Sequence, residues 1–375
     1  MEETEDGTTR TTKETETVIG KRLDGSLAML VLASIAIVVI SALVQVSFGA
    51  YSTTLSQAWH AVFNPKVVTN PDVLGALLLG TEVPSNVTLS NTTTVIWSLR
   101  LPRVFVGIFV GANLAVSGAI FQAVTRNELA SPYILGVSQG AGLAVLLTLV
   151  VFSGLTVFLP IFAAVGGIAA FIVVYIIAWK GGTSPVRLVL AGVIVGTICS
   201  SLQRGLFFFA QDIGVVQTAL SWTTGSLTGT GWEQVRIILL PTLVILPLAM
   251  LASRQLNVLL LGERTARSLG MSVERIRFAL STLAILAASS AISVAGIVGF
   301  VGLIVPHVVR NIVGSDYRKL LVGSLFAGPA LVVSADVGAR LALNPIQIPV
   351  GIVTGLIGGP YFLYLMRKRQ KVGEL

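Results

Sequence analysis

Long stretches without Asp, Glu, Lys or Arg constrain this chain more than any other feature. They cover residues 25–65, 104–125, 129–179, 237–253, 278–309 and 341–366. Roughly 20 apolar residues cross the ~30 Å hydrocarbon core, and backbone polar groups there must find partners within the protein. Only 11% of the residues are charged, against roughly a quarter in a soluble domain. A water-soluble enzyme is excluded. The expected fold is all-α, a polytopic membrane protein of about ten transmembrane helices. Breaking the runs at glycine, proline and charge clusters places the spans at 26–47, 104–123, 134–152, 157–179, 188–211, 236–252, 278–295, 297–312, 320–341 and 350–366. The splits at Gly154 and Gly296 are the least marked.

The 38 glycines suit membrane helices, where small residues let backbones approach closely. Gly107/Gly111, Gly192/Gly196 and Gly351/Gly355/Gly359 repeat at four-residue spacing and read as packing surfaces. Cys199 is the only cysteine, and His60 and His307 stand apart from any metal-ligand cluster. No G-x-x-x-x-G-K-[ST] loop is present, so nucleotide chemistry would have to come from another chain. His307, deep in an apolar span beside Pro306, reads as a structural histidine bonded to neighbouring backbone.

The net charge of +8 is unevenly spread. Residues 1–25 hold seven acids and four bases, leaving ten acids against 21 bases elsewhere. That segment has no apolar period and no basic signal-peptide region, and reads as a disordered acidic cytoplasmic tail. The remaining basic excess is topological rather than nucleic-acid binding. With the amino terminus inside, inner segments carry seventeen Lys and Arg and outer ones five, which places both termini in the cytoplasm. The domain layout is then a tail at 1–25, a transmembrane domain at 26–368 with an external loop at 48–98 and a cytoplasmic loop at 254–277, and a tail at 369–375.

Three places carry mechanism. At the outer end of the second span, Arg100-Leu101-Pro102-Arg103 holds two cations at a helix start, where the dipole disfavours them. They read either as interfacial anchors or, with Arg340, as a docking point for an acidic partner. Between the sixth and seventh spans, Gly262 and Gly270 bracket a short amphipathic segment with Ala266 and Leu269 on one side and Arg264 and Arg267 on another. Such a helix suits docking of a cytoplasmic subunit. On the fifth span, Thr197, Ser200, Ser201, Gln203, Arg204, Phe207, Phe208 and Gln211 share an arc of about 160°. Ile198, Leu202, Leu206 and Phe209 fall opposite. Arg204 lies roughly 25 Å along the helix from Arg187, in the outer part of the bilayer, where it snorkels or faces a water-filled path.

Arg100 to Arg103, Ser117-Gly118-Ala119, Asn127-Glu128-Leu129-Ala130-Ser131-Pro132, Leu135-Gly136-Val137-Ser138-Gln139-Gly140-Ala141-Gly142, the Gly262 to Gly270 loop and Gly299-Phe300-Val301-Gly302-Leu303-Ile304-Val305-Pro306-His307 follow one another in an order that resembles the FecCD family. That family comprises permease subunits of type II ABC importers for cobalamin, haem and iron-siderophores, and the resemblance looks strongest to cobalamin-importer permeases. It spans roughly residues 95–370. It implies a homodimer with a path on the two-fold axis, and two ATPase subunits, which bind the ATP and Mg, docked at Gly262, Glu263, Arg264, Ala266, Arg267, Leu269 and Gly270. It also implies an extracellular substrate-binding protein facing Arg100, Arg103 and Arg340. No catalytic site, cofactor, metal or nucleic-acid partner is implied for this chain. The inner gate maps onto Asn127, Leu129, Thr183 and Ser184, where Glu128 replaces the usual proline and Pro185-Val186 replace polar residues. The acidic tail and long outer loop suggest an archaeal source. Iron-siderophore or haem import is the alternative within the class. An ion-coupled secondary transporter is the alternative outside it, although no acid sits near a span midplane.

Overall fold

The computed structural model describes the backbone of residues 5–373, apart from 50, 52, 83, 85–86, 181, 211 and 344–345. Among these the chain is helical, with one isolated bridge between Leu343 and Ile346. Helix α1 (Glu5–Ser47) leads into four short helices, α2 (Leu55–Val62), α3 (Pro65–Val68), α4 (Pro71–Leu79) and α5 (Asn91–Val95). A π-helical turn at Ile96–Arg100 then opens α6 (Leu101–Thr125). Next come α7 (Val137–Val150), α8 (Leu159–Ala178), α9 (Pro185–Phe207), α10 (Ile213–Thr224), α11 (Trp232–Leu251) and α12 (Ser253–Leu260). The series ends with α13 (Glu263–Ser268), α14 (Val273–Ala295), α15 (Val301–Val313), α16 (Tyr317–Leu341) and α17 (Val350–Gly373).

Seven of these elements contain stretches long and apolar enough to cross a membrane, and α7, α15 and the apolar part of α17 are shorter. Together they occupy the ten positions expected from the apolar runs. The break at 154 is a 3-10 turn, Ser153–Phe158, and the break at 296 separates α14 from a 13-residue α15. The apolar part of α1 begins at Gly25, and its helix continues back to Glu5, through most of the segment read as disordered.

Helix α6 is the centre of the bundle, with every residue from Val110 to Thr125 buried. Glycine places it there. A Cβ on Gly111 would lie 2.5 Å from the Gly328 carbonyl oxygen of α16, and one on Gly118 would lie 1.8 Å from the Gly302 oxygen of α15. These backbones therefore touch, an approach that no other residue permits. Of the other repeats, Gly192 and Gly196 face Gly136, and Gly351 faces the Thr224 carbonyl, whereas Gly355 and Gly359 meet nothing within 4 Å. Polar side chains tie α6 to its neighbours: Asn113 donates to Thr242 Oγ1 at 2.6 Å, and Ser117 donates to the Ala284 carbonyl at 2.5 Å.

Irregular backbone is confined to places where other segments satisfy it. The turn after α14 donates from Ile297 to the Trp222 carbonyl at 2.8 Å, and Ser226 donates to Ala295 at 2.8 Å. Gly351 donates to Gly225 at 3.1 Å. The ends of α10 and α14 and the start of α17 thus pair with one another, as backbone at membrane depth requires. Phe300 adopts φ 66° at this junction, and its ring covers Gly358 of α17.

The α6 contacts predict that Gly118→Ala destabilises the folded protein by roughly 1–3 kcal/mol through overpacking. Gly338→Ala, where nothing lies within 4 Å, is expected to leave the thermal midpoint in detergent unchanged.

Candidate functional site

At one end of the bundle, the last turn of α1, the start of α6 and the end of α16 bring Arg100, Arg103 and Arg340 together, as their sequence positions suggested. They do not form an exposed patch. Their exposures are 5%, 7% and 7%, and their donors are taken by the chain itself. Arg103 forks onto Asp336, Nε to Oδ2 at 2.8 Å and Nη2 to Oδ1 at 2.7 Å, and reaches Gln347 Oε1 at 2.7 Å. Gln45 donates to the same carboxylate at 2.7 Å. Arg340 donates to the Gln45 carbonyl at 2.7 Å, and Arg100 to Thr53 Oγ1 at 2.9 Å and to the Val46 and Tyr51 carbonyls. The three arginines expected to dock a binding protein are thus buried and engaged within the chain. Buried guanidinium groups must be paired, and here one carboxylate and several carbonyls pair them. Gly49, at φ 157°, leaves room for the cluster, because a Cβ there would lie 2.7 Å from Arg340 Nη2.

The other end carries the basic connections. Helix α13 lies between Gly262 (φ 99°) and Gly270 (φ 80°), the bracketed short helix expected from the sequence. Ala266 is fully buried beneath it, while Arg264, Arg267 and Leu269 are exposed, Leu269 by 64%. Leu269, the residue after the last turn of α13, is thus open to the surroundings while Ala266 is packed. Asn127 and Leu129 are also exposed, and the Asn127 side chain accepts from the Leu129 N–H at 2.9 Å.

Thr183 behaves differently from an open gate residue. It is 3% exposed, and its N–H and hydroxyl both donate to Glu274 Oε2 at 2.9 Å. Its neighbour Ser184 caps α9 by accepting from the Arg187 N–H at 3.2 Å. Glu128, at the position where the family pattern has proline, places its carboxylate 3.9 Å from both His307 Nδ1 and Arg310 Nε. His307 is buried and faces that acid and the rings of Tyr361 and Phe362.

Helix α9 leaves much of its surface uncovered. Thr197, Ser201, Arg204 and Phe208 are exposed along one stripe, with Ser200 half-buried beside it. Ile194, Ile198, Leu202 and Phe209 are exposed along an adjacent apolar stripe. Gln203 leaves the wet arc: it is 9% exposed and donates to the Gln139 carbonyl of α7 at 2.6 Å. Phe207 is half-buried against the packing of α7 and α8, and Gln211 lies outside the described residues.

The model of the FecCD transport family matches residues 36–368. The chain belongs to this family. An Fe(3+)-citrate import system permease of Bacillus subtilis (strain 168) is 42% identical over 279 residues, covering 74% of this chain and 83% of that protein. A haemin transport system permease of Yersinia pestis is 36% identical and covers 80% and 91% of the two chains. A cobalamin import system permease of Halobacterium salinarum (strain ATCC 700922 / JCM 11081 / NRC-1) is 38% identical and covers 79% of each. A solved structure described as an inward-facing conformation of a putative metal-chelate type ABC transporter superposes with a TM-score of 0.75. It is 26% identical and covers 91% of this chain and 99% of its own. The protein is a multi-pass FecCD permease with the type II ABC importer permease fold, a membrane component of a transporter.

Three features of this FecCD permease escaped sequence reasoning. Helix α10 was absent from the expected spans because 12 residues are too short to cross a bilayer. Asp336 carries no local sign of its role, since its partner Arg103 lies 233 positions away. The contacts of Glu274 and Arg277 with Thr183 span 91 and 94 positions, beyond the reach of neighbouring-residue patterns. The far-end clamp predicts that Asp336→Asn costs about 3–5 kcal/mol of stability by leaving Arg103 uncompensated. Adding Arg103→Gln is expected to cost much less than the sum of the single changes when unfolding is followed in detergent.

Proposed function

We propose that this FecCD permease pairs with a second copy of itself, two ATPase subunits and an external binding protein, and imports a large metal chelate along a path lined by α9. The polar stripe of Thr197, Ser201 and Arg204 carries the reading, because hydroxyls and a guanidinium exposed along a membrane helix favour water over lipid. The adjacent apolar stripe, with Gly355 and Gly359 open on α17, supports close approach of the second copy. The basic end, with exposed Arg264, Arg267 and Leu269 on α13, faces the cytoplasm by the distribution of Lys and Arg. There it receives the ATPase subunits, which hold the ATP and Mg. Asn127 and Leu129 stand at the inner mouth.

Arg204 favours a chelate with carboxylate or other anionic groups, as ferric citrate named for the B. subtilis relative would be. Cobalamin is the second reading, favoured by the H. salinarum relative, which matches over a similar share of the chain. Reconstitution with the ATPase and binding protein tests both: ATP-dependent uptake of a chelate into sealed vesicles is expected, and its absence with every such chelate contradicts the reading. Arg204→Gln is expected to slow uptake of an anionic chelate roughly tenfold more than that of a neutral analogue. Equal slowing would leave Arg204 as an interfacial anchor.

A further inference from the structure

One buried cation at the basic end has more partners than its own helix needs. Arg277, in the second turn of α14, is 1% exposed, among the most completely buried of the large side chains. Its Nη2 donates to Glu263 Oε1 of α13 at 2.5 Å. Its Nη1 donates to the Thr183 carbonyl and lies 3.5 Å from Glu274 Oε1. The fork thus joins α13 to the connection between α8 and α9, two segments that are 80 residues apart in sequence.

That connection is held from both sides. Glu274 accepts from the Thr183 N–H and hydroxyl, each at 2.9 Å, and Gly182, at φ 128°, would bring a Cβ within 3.0 Å of the same carboxylate. From the α9 side, Arg187 donates to the Gly182 carbonyl at 3.0 Å and to Ser184 Oγ at 3.2 Å. Ser184 is in turn the cap of α9. A chain of charge-assisted contacts therefore runs from Glu263 through Arg277 and Thr183 to the first turn of α9. Such contacts are short and directional, and a buried setting strengthens them. Helix α13 is flanked by two glycines at positive φ, Gly262 and Gly270.

We propose that Arg277 is the positioning residue that carries motion of α13 to the start of α9, linking nucleotide-driven movement of the ATPase subunits to the helix that lines the path. Arg267 adds weaker contacts, 3.9 Å to Glu263 and 3.8 Å to Glu274, from a side chain 62% exposed, and serves as a solvent-side brace. The single guanidinium of Arg277 matters because its two terminal nitrogens serve different segments at once. A lysine there has one charge centre and cannot hold Glu263 and the Thr183 carbonyl in the same planar fork.

The proposal rests on the importer reading above, and the experiment separates the two. Wild type, Arg277→Gln, Arg277→Lys and Glu263→Gln are reconstituted with the ATPase subunits and binding protein, and uptake and ATP hydrolysis are measured in the same vesicles. Glu263 is 34% exposed, so its variant is expected to fold even if removal of Arg277 impairs assembly. Expected are retained hydrolysis and a fall in chelate imported per ATP of roughly tenfold for Arg277→Gln. Smaller falls are expected for Glu263→Gln and Arg277→Lys. A ratio equal to wild type in Glu263→Gln, or uptake and hydrolysis falling in proportion in all three variants, overturns the linkage and leaves Arg277 a fold-stabilising contact. Absence of uptake in the wild type overturns the importer reading beneath it.

Discussion

A charge at the edge of a hydrocarbon layer has to find its counter-charge inside the protein, and both ends of this bundle are built around that requirement. At the far end one carboxylate, Asp336, takes the fork of Arg103 and a hydrogen bond from Gln45, so α1, α6 and α16 are tied together where the first span leaves the membrane. At the basic end Arg277 sits between two glutamates from different segments. Buried ion pairs contribute little net stability, because desolvation offsets most of the attraction. Their geometry does more than their energy, since each fixes which segments lie side by side.

Between these ends the bundle depends on close backbone approach rather than on the hydrophobic effect, which has little to act on when the solvent is lipid. The glycine contacts of α6 with α15 and α16 hold its centre rigid. The same rule separates the packed helices from the open ones. Helix α6 is covered from Val110 onward, whereas α9 keeps two whole stripes exposed and α17 keeps Gly355 and Gly359 without neighbours. The proposed conduit between two copies would use this contrast, a closely packed centre with an uncovered helix at its side.

The ten spans and the bracketed α13 were legible because apolar run length and flanking glycine are local signals. The partners of the long side chains were not. Arg103 meets Asp336 across 233 positions and Arg340 meets Gln45 across 295, so a reading confined to neighbouring residues leaves these arginines looking free and exposed. Gln203 illustrates a subtler limit: the helical wheel put it on the wet arc, but α7 approaches that edge of α9 and takes its amide. Helix α10 fell below the length at which an apolar segment announces a span.

If α9 lines a water-filled path, its polar stripe and its apolar stripe must differ in access to water inside the assembled transporter. Single cysteines at 194, 197, 198, 201, 202 and 204, in a Cys199→Ser background, can be probed in sealed vesicles with a membrane-impermeant thiol reagent. Fast labelling at 197, 201 and 204, slowed by the transported chelate, with slow labelling at 194, 198 and 202, is the expected result. Equal labelling of both stripes, or none on the polar one, would contradict a path along α9.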